Sequence, residues 1–214
     1  MTDPKRAHRM EVRRADVGAR THELPAGERY HSLMNGALGG LWRSLGRAPN
    51  FLFGIGSCAS GKGPGRPFIP TDKAVSDPAF SWLWKDVHPS SKSRLGKYGL
   101  AGGASGDELD RLDYGIGSPS NAVLLARSER HDDHFMLFNE ELIFPMIGTL
   151  GSTSELVRSD IVYYETSGGG AVFSVGSINW NNSMAWDGYE NDTAQVTKNV
   201  IDQFLMRAEK LRAS

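Results

Sequence analysis

The sequence has one cysteine, no excess charge of either sign and no long apolar run, and each absence removes a class of protein. A lone Cys58 among 214 residues excludes an intramolecular disulfide and any multi-cysteine zinc site, and it suits a reducing compartment. Lys and Arg number 24 against 25 Asp and Glu, a formal net charge of -1, so the strongly basic footprint of a dedicated nucleic-acid binder is missing. No apolar stretch approaches the roughly 18 residues of a membrane span. The N-terminal MTDPKRAHRM has no apolar core of a signal peptide. We therefore expect a cytoplasmic protein that engages neither membrane nor nucleic acid. Internal repeats and low-complexity tracts are lacking too. What the chain has in surplus is glycine, 25 residues where ~7% of the chain is usual.

Along the chain, residues 1–49 form a basic segment that we expect to pack on a main body spanning 50–214. Asn50 to Gly56 (NFLFGIG) reads as a buried strand bounded by Pro49 and glycines. Residues 57–106 hold much of the glycine and proline, and fifty residues of that texture mark a functional loop or an excursion over a partner. Trp82 and Trp84, in SWLWKDVHP, are expected to plug a core. Asp107 to Tyr114 reads as a short helix, Ala122 to Ala126 as a second buried strand, and Phe135 to Phe138 as a strand or helix edge. Two β-rich runs, Ile161–Glu165 and Ala171–Val175, flank SGGG and predict a hairpin. The last segment is helical: Asn191, Asp192 or Thr193 can cap it, and Val196, Val200, Phe204 and Leu211 form a stripe that Ile201 and Leu205 widen. The fold class is α/β, with long glycine-rich loops and a C-terminal helix.

Four patterns invite a chemical reading. Gly54-Ile-Gly-Ser-Cys-Ala59 matches a dinucleotide fingerprint, but the helix that must follow is replaced by GKGPGRP. Gly56 to Lys62 fits the opening of a phosphate loop, yet Gly63 stands where Ser or Thr must hold magnesium. His131-Asp-Asp-His134 puts four potential ligands together; a polar loop is the simpler reading, with a site-lining loop as the alternative. Cys58 follows the expected strand, but a reactive thiolate needs a base and an electropositive setting, for which His31 and His88 are the only distant candidates. Glu108 in AGGASGDELDR stands apart. A glycine-rich loop lets backbone approach a substrate closely, and a carboxylate there can be partly buried and raised in pKa. The plainer alternative is an acid favouring a helix N-terminus.

Taken in order, EVRRADVGART, GGLWRSLGRAPNFLFGIG, GLAGGASGDELDRLDYGIGSP with NAVLLARSERH, and VYYETSGGGAVFSVGSINW with GYENDTAQVTKNVIDQF resemble the C-terminal region of the N,N-dimethylformamidase large (beta) subunit family. The resemblance covers nearly the whole chain and is sharpest at GGGAVFSVGSI and GYEND. It implies the C-terminal portion of a class I glutamine amidotransferase-like (flavodoxin-like) layered fold with a mostly parallel sheet. It implies hydrolysis of small amides, formamides above all, to amine and carboxylic acid, in a hetero-oligomer. It also implies a mononuclear iron whose two tyrosines and glutamate lie upstream of these blocks, so Tyr30, Tyr98 and Tyr114 are not recruited as ligands. Two positions carry over. Glu108 matches the family's acidic residue in its loop, a candidate general base or proton shuttle. Arg13 or Arg14, in EVRR, stands where a basic residue close to the site is expected, an anchor for a carbonyl or carboxylate.

The leading expectation is the C-terminal part of a metal-assisted amide hydrolase in which Glu108 handles the proton. The alternative is a non-catalytic assembly or binding module that keeps the fold without the metal-ligand half. A weaker one is a cofactor-free hydrolase using Cys58.

Overall fold

A computed structural model describes residues 2–3, 6–10, 43, 46–138 and 148–213. The chain divides into two units, Met1–Ala48 and Pro49–Ser214. In the first, β1 (Thr2–Asp3) pairs antiparallel with β2 (Arg6–Met10). Arg13 and Arg14 lie outside the described residues, as do Tyr30 and His31.

The second unit opens with a correction to the sequence reading. Asn50 to Phe53 is not strand but one helical turn, α1 (Asn50–Phe53). Its Asn50 is buried and donates to Ser118 Oγ at 3.1 Å. Phe51, Leu52 and Phe53 are instead exposed, Phe51 at 60%. Gly54, in the left-handed region at φ 76°, ends the turn. The strand begins only afterwards, as β3 (Gly56–Gly61). The first half of the apolar run is thus a turn whose large side chains face outward, and its apolar character does not mark a buried strand.

Next come β4 (Phe68–Pro70) and α2 (Asp72–Ser76), the latter capped by Thr71 Oγ1, which accepts from Ala74 N at 3.2 Å. A 3-10 turn over Pro78–Trp84 buries Phe80, Leu83 and Trp84, while Trp82, the other tryptophan expected in the core, packs half-buried against it. Then follow β5 (Glu108–Arg111), β6 (Val123–Ser128), β7 (Phe135–Leu137), β8 (Asp160–Glu165), β9 (Ala171–Ser174), α3 (Asn179–Met184) and α4 (Asp192–Ala213). The expected helix over Asp107–Tyr114 is thus a strand in its centre, β5, followed by a short 3-10 turn at Tyr114–Ile116.

These strands build a three-stranded sheet, β5-β3-β7, and a four-stranded sheet, β4-β6-β8-β9. Every pairing between them is antiparallel. The mixture of helix and antiparallel sheet agrees with an α/β composition, while the mostly parallel layer implied by resemblance does not occur among the named strands of the described residues.

Strand β8 shows why the larger sheet is central. Its alternating residues serve two cores: Ile161 and Tyr163 join Phe68, Leu125, Trp180, Val196 and Val200, whereas Val162 and Tyr164 join Ile55, Leu112 and Ala122. A strand buried on both faces reads as a continuous apolar run, as IVYY does. The predicted hairpin forms, with Glu165 opposite Ala171 and Thr166 N donating to Gly170 O at 2.9 Å. Helix α4 is also where expected. Asn191 Oδ1 accepts from Ala194 N at 3.0 Å, and Val196 and Val200 are buried. Ile201 and Leu205, expected to widen the buried stripe, are exposed instead at 54% and 59%. No helix among the described residues is long and apolar enough to cross a membrane.

The two sheets meet at Gly176, just beyond β9. Its φ is 63°, and a Cβ there would stand 2.5 Å from Asp160 O and 2.7 Å from Asp110 O. Both neighbours are backbone, so neither can swing aside. Gly176→Ala should cost ~1–3 kcal/mol of stability by overpacking, read as a lowered midpoint in urea denaturation of the full chain.

Candidate functional site around Glu108

Glu108 begins β5, the edge strand of the three-stranded sheet. Alternation along Glu108-Leu109-Asp110-Arg111 sends Leu109 and Arg111 inward and keeps Glu108 exposed, with Asp110 half-buried on the same face. Cross-strand neighbours in β3 are Ser57 opposite Asp110 and Ser60 opposite Glu108, with a bulge between Ser57 and Ala59. Cys58 is the extra residue. A bulge adds one residue to one strand and re-aims its side chains; here Cys58 and Ala59 both turn into the core and Ser57 stays on the carboxylate face.

Ser57 Oγ lies 2.6 Å from Glu108 Oε1 and 2.7 Å from Asp110 Oδ1. One hydroxyl thus touches two carboxyl groups. Burial pushes Asp110 up to about 6, a shift opposed by the hydrogen bond from Ser57 and reinforced by the nearby Glu108 charge.

The start of β5 is fixed by a second segment. Ser177 Oγ accepts from Gly106 N at 2.8 Å and donates to Gly106 O at 2.7 Å. Asp107, with φ 59°, turns the chain, and its carbonyl accepts from Gly61 N at 2.9 Å. Asp110 N donates to Gly176 O at 2.8 Å. The GIGSCAS, SGDELD and SVGSI stretches, far apart in sequence, therefore converge on Glu108.

The glycine-rich loop ahead of Glu108 has a different role from the one expected. Its close approach is to the chain's own backbone. Gly65 N donates to Ala101 O at 2.7 Å, Arg66 and Ser105 exchange two backbone bonds, and a Cβ on Gly103 would stand 2.3 Å from the Arg66 carbonyl carbon. Glycine here permits two segments to cross in contact.

The other sequence candidates are dispersed. Cys58 is 1% exposed, with Sγ against the carbonyl oxygens of Leu109, Leu156 and Arg158; burial in that setting removes it from nucleophilic chemistry. The fingerprint and phosphate-loop matches fall on strand β3 and bend no backbone around an anion. His131 and Asp132-Asp133-His134 part company. His131 is buried, its Nε2 lying 2.9 Å from Ser105 Oγ, while His134 Nδ1 turns to Asp132 Oδ1 at 3.0 Å. Tyr114 donates its hydroxyl to Ala122 O at 2.8 Å. Among the described residues no group of three or more His, Cys, Asp or Glu comes together to hold a metal ion. A cleft of about 630 Å³, bordered by Arg94, Tyr98, Trp186 and Asn191, does not include Glu108.

Sequence reasoning singled out Glu108 but not Ser57 and Asp110, the side chains that the structure groups with it. The signal was available: two acids spaced i, i+2 about an inward Leu fit a strand face better than a helix start.

With this convergence in view, comparison with known proteins decides the family. Residues 1–194 match the family described as N,N-dimethylformamidase beta subunit-like, C-terminal. The chain belongs to this dimethylformamidase beta subunit-like family. It is 36% identical over 203 residues to the N,N-dimethylformamidase beta subunit of Alcaligenes sp, and 36% identical over 203 residues to that of Paracoccus aminophilus. Each alignment takes in 94% of this chain and 26% of the relative, so the chain spans about a quarter of the length of the curated dimethylformamidase subunits it matches.

One titration follows from the buried histidine. Burial lowers His131 to about 4, and the Arg66 charge acts in the same direction. The unfolded chain therefore takes up a proton first, from about 6.5 downward. His131 contributes stability that is intact above pH ~6.5 and is lost as pH falls towards ~4. His131→Gln, which keeps a partner for Ser105, should flatten that fall. The readout is the difference in Tm between wild type and variant from pH 7 to 4, which isolates His131 from Asp110, whose raised pKa works the other way.

Proposed function

We propose that this chain is the C-terminal part of an amide hydrolase of dimethylformamidase type, cleaving small amides such as N,N-dimethylformamide to amine and carboxylic acid. The observation that carries it is Glu108: exposed at the start of an edge strand, fixed by Gly106–Ser177 and Gly61–Asp107 bonds, and lying in one of the blocks that bear the family resemblance.

Amide nitrogen departs only once protonated, so the reaction requires a group that gains a proton and gives it up again. A water attacks the amide carbonyl while a Glu108 carboxylate oxygen accepts its proton. The C–N bond then breaks as Glu108 returns that proton to nitrogen, leaving free amine and the acid. Glu108 ends as it began. Its exposure leaves the carboxylate within reach of a substrate, and the backbone bonds at Gly106 and Asp107 fix where the strand presents it. Arg13 or Arg14 is proposed as the anchor for the carbonyl or carboxylate oxygen.

Iron belongs to the proposal only as something held by residues outside this chain; the described side chains do not fit a metal site, and no step above passes through one. The glutamine amidotransferase-like layered fold is likewise proposed for the larger protein, whose parallel sheet would be built by sequence beyond the described residues. As the relatives are named beta subunits, further subunits are proposed as partners.

The experiment measures amine release from small formamides by the full polypeptide carrying this chain, produced with its neighbouring gene products and iron. Glu108→Gln should lower kcat by ~10²–10⁴-fold, with KM little changed and assembly intact. Undiminished turnover in that variant removes Glu108 from the chemistry. A stable complex whose wild-type form releases no amine favours the assembly-module reading, for which the chain's quarter share of its relatives speaks.

A further inference from the structure

Ser57 presents a proton-counting problem. Its oxygen is within hydrogen-bonding distance of both Glu108 Oε1 and Asp110 Oδ1, at 2.6 and 2.7 Å. A hydroxyl has one hydrogen to donate, and ionised carboxylates only accept. Two ionised carboxylates at these distances would leave one oxygen pair in contact without a hydrogen between them. A second proton in the three-group chain gives each short contact a hydrogen of its own.

We propose that Asp110 is a positioning residue for Glu108, acting through Ser57: its protonated carboxyl donates to Ser57 Oγ, which turns the Ser57 hydrogen onto Glu108 and fixes that carboxylate for catalysis. The deeper-set carboxyl is the one that holds the proton, because burial penalises the charged form while exposed Glu108 keeps its hydration. The raised pKa of Asp110, about 6, agrees.

Among the described residues, the surroundings supply no competing cation. Strand β3 brings no acid or base to this face, and its thiol, Cys58, points the other way. The Gly176–Ser177 segment is uncharged. From β8 comes Asp160, tied to Arg127 and Arg158 Nε at 3.2 Å each, and on β5 itself Arg111 is engaged with Asp113 at 2.8 Å. Among the described residues, then, the proton balance of the bridge is decided by its own three members. As pH rises through Asp110's range the donor is lost, Ser57 has two claimants for one hydrogen, and Glu108 loses its fixed orientation.

This role rests on the reading of Glu108 as the acid–base group, so its test has two readouts. The first needs no turnover. Carboxyl carbon-13 NMR of the full chain should show Asp110 titrating near 6, and Glu108→Gln, which removes a neighbouring charge, should move it down. The second is kinetic. Asp110→Ala should lower kcat about tenfold, the worth of one hydrogen bond, with KM little affected. Asp110→Asn, whose amide is a permanent donor, should recover most of that loss and flatten the pH profile of kcat between pH ~5 and ~7. An Asp110 that titrates in the ordinary carboxylate range and ignores Glu108→Gln overturns the bridge. An Asn variant as impaired as the Ala variant, or an Ala variant with unaltered kcat, overturns the positioning role. If Glu108→Gln leaves turnover intact, the function proposed above fails and the positioning role falls with it, while the NMR titration still decides the bridge by itself.

Discussion

A fully buried carboxylate, Asp160, is the interaction on which the second unit depends. An isolated ion at such depth would be very costly. Here Arg127 and Arg158 supply the opposite charge, and Leu112 N donates to Oδ2 at 2.9 Å. The three contacts come from β6, from the turn before β8, and from the segment leaving β5. One side chain thus ties the end of the small sheet to the middle of the large one. The glycine at 176 is a consequence, since the chain passes between the Asp160 and Asp110 carbonyls where no side chain fits. Glu108 therefore stands on a strand whose far end is anchored by this buried polar core.

Around that joint the hydrophobic material is divided rather than pooled. Phe68, Trp180 and Val196 fill one side of the large sheet, Ile55, Leu112 and Val162 the other, and Leu109, Phe135 and Val157 lie under the small sheet. Phe68 and Trp180 meet edge to face with ring centroids 6.1 Å apart, an arrangement aromatic pairs favour. The glycine surplus reflects this division: separate cores require segments to cross at backbone contact, as 65–66 and 101–105 do.

What could be read from the residues follows from how each pattern is generated. The β8–β9 hairpin was legible because Gly168–Gly170 sits between two β-branched and aromatic runs, and α4 because its apolar spacing is helical over several turns. The stretch Asn50–Gly56 was not, since a short apolar run carries no period and three of its residues are exposed. Strand β5 was hidden for another reason: its second inward residue is Arg111, so alternation is masked by charge. The family resemblance located Glu108 without its geometry. Its partners escaped because Ser57 and Asp110 are neighbours only through a register that contains a bulge, which no local pattern announces.

That bulge has an evolutionary side. On β5 the outward residues recur every second position, at 108 and 110. On β3 the facing serines are three apart, at 57 and 60. Only a strand with one residue too many can meet a partner in that way. Loss of a single codon between these serines would erase the bulge, keep both serines on the carboxylate face and take either Cys58 or Ala59 out of the core beneath them, even if every remaining amino acid were unchanged. A change of length here acts on the core under the strand as directly as a change of side chain, and homologues are best compared at this site by length before identity.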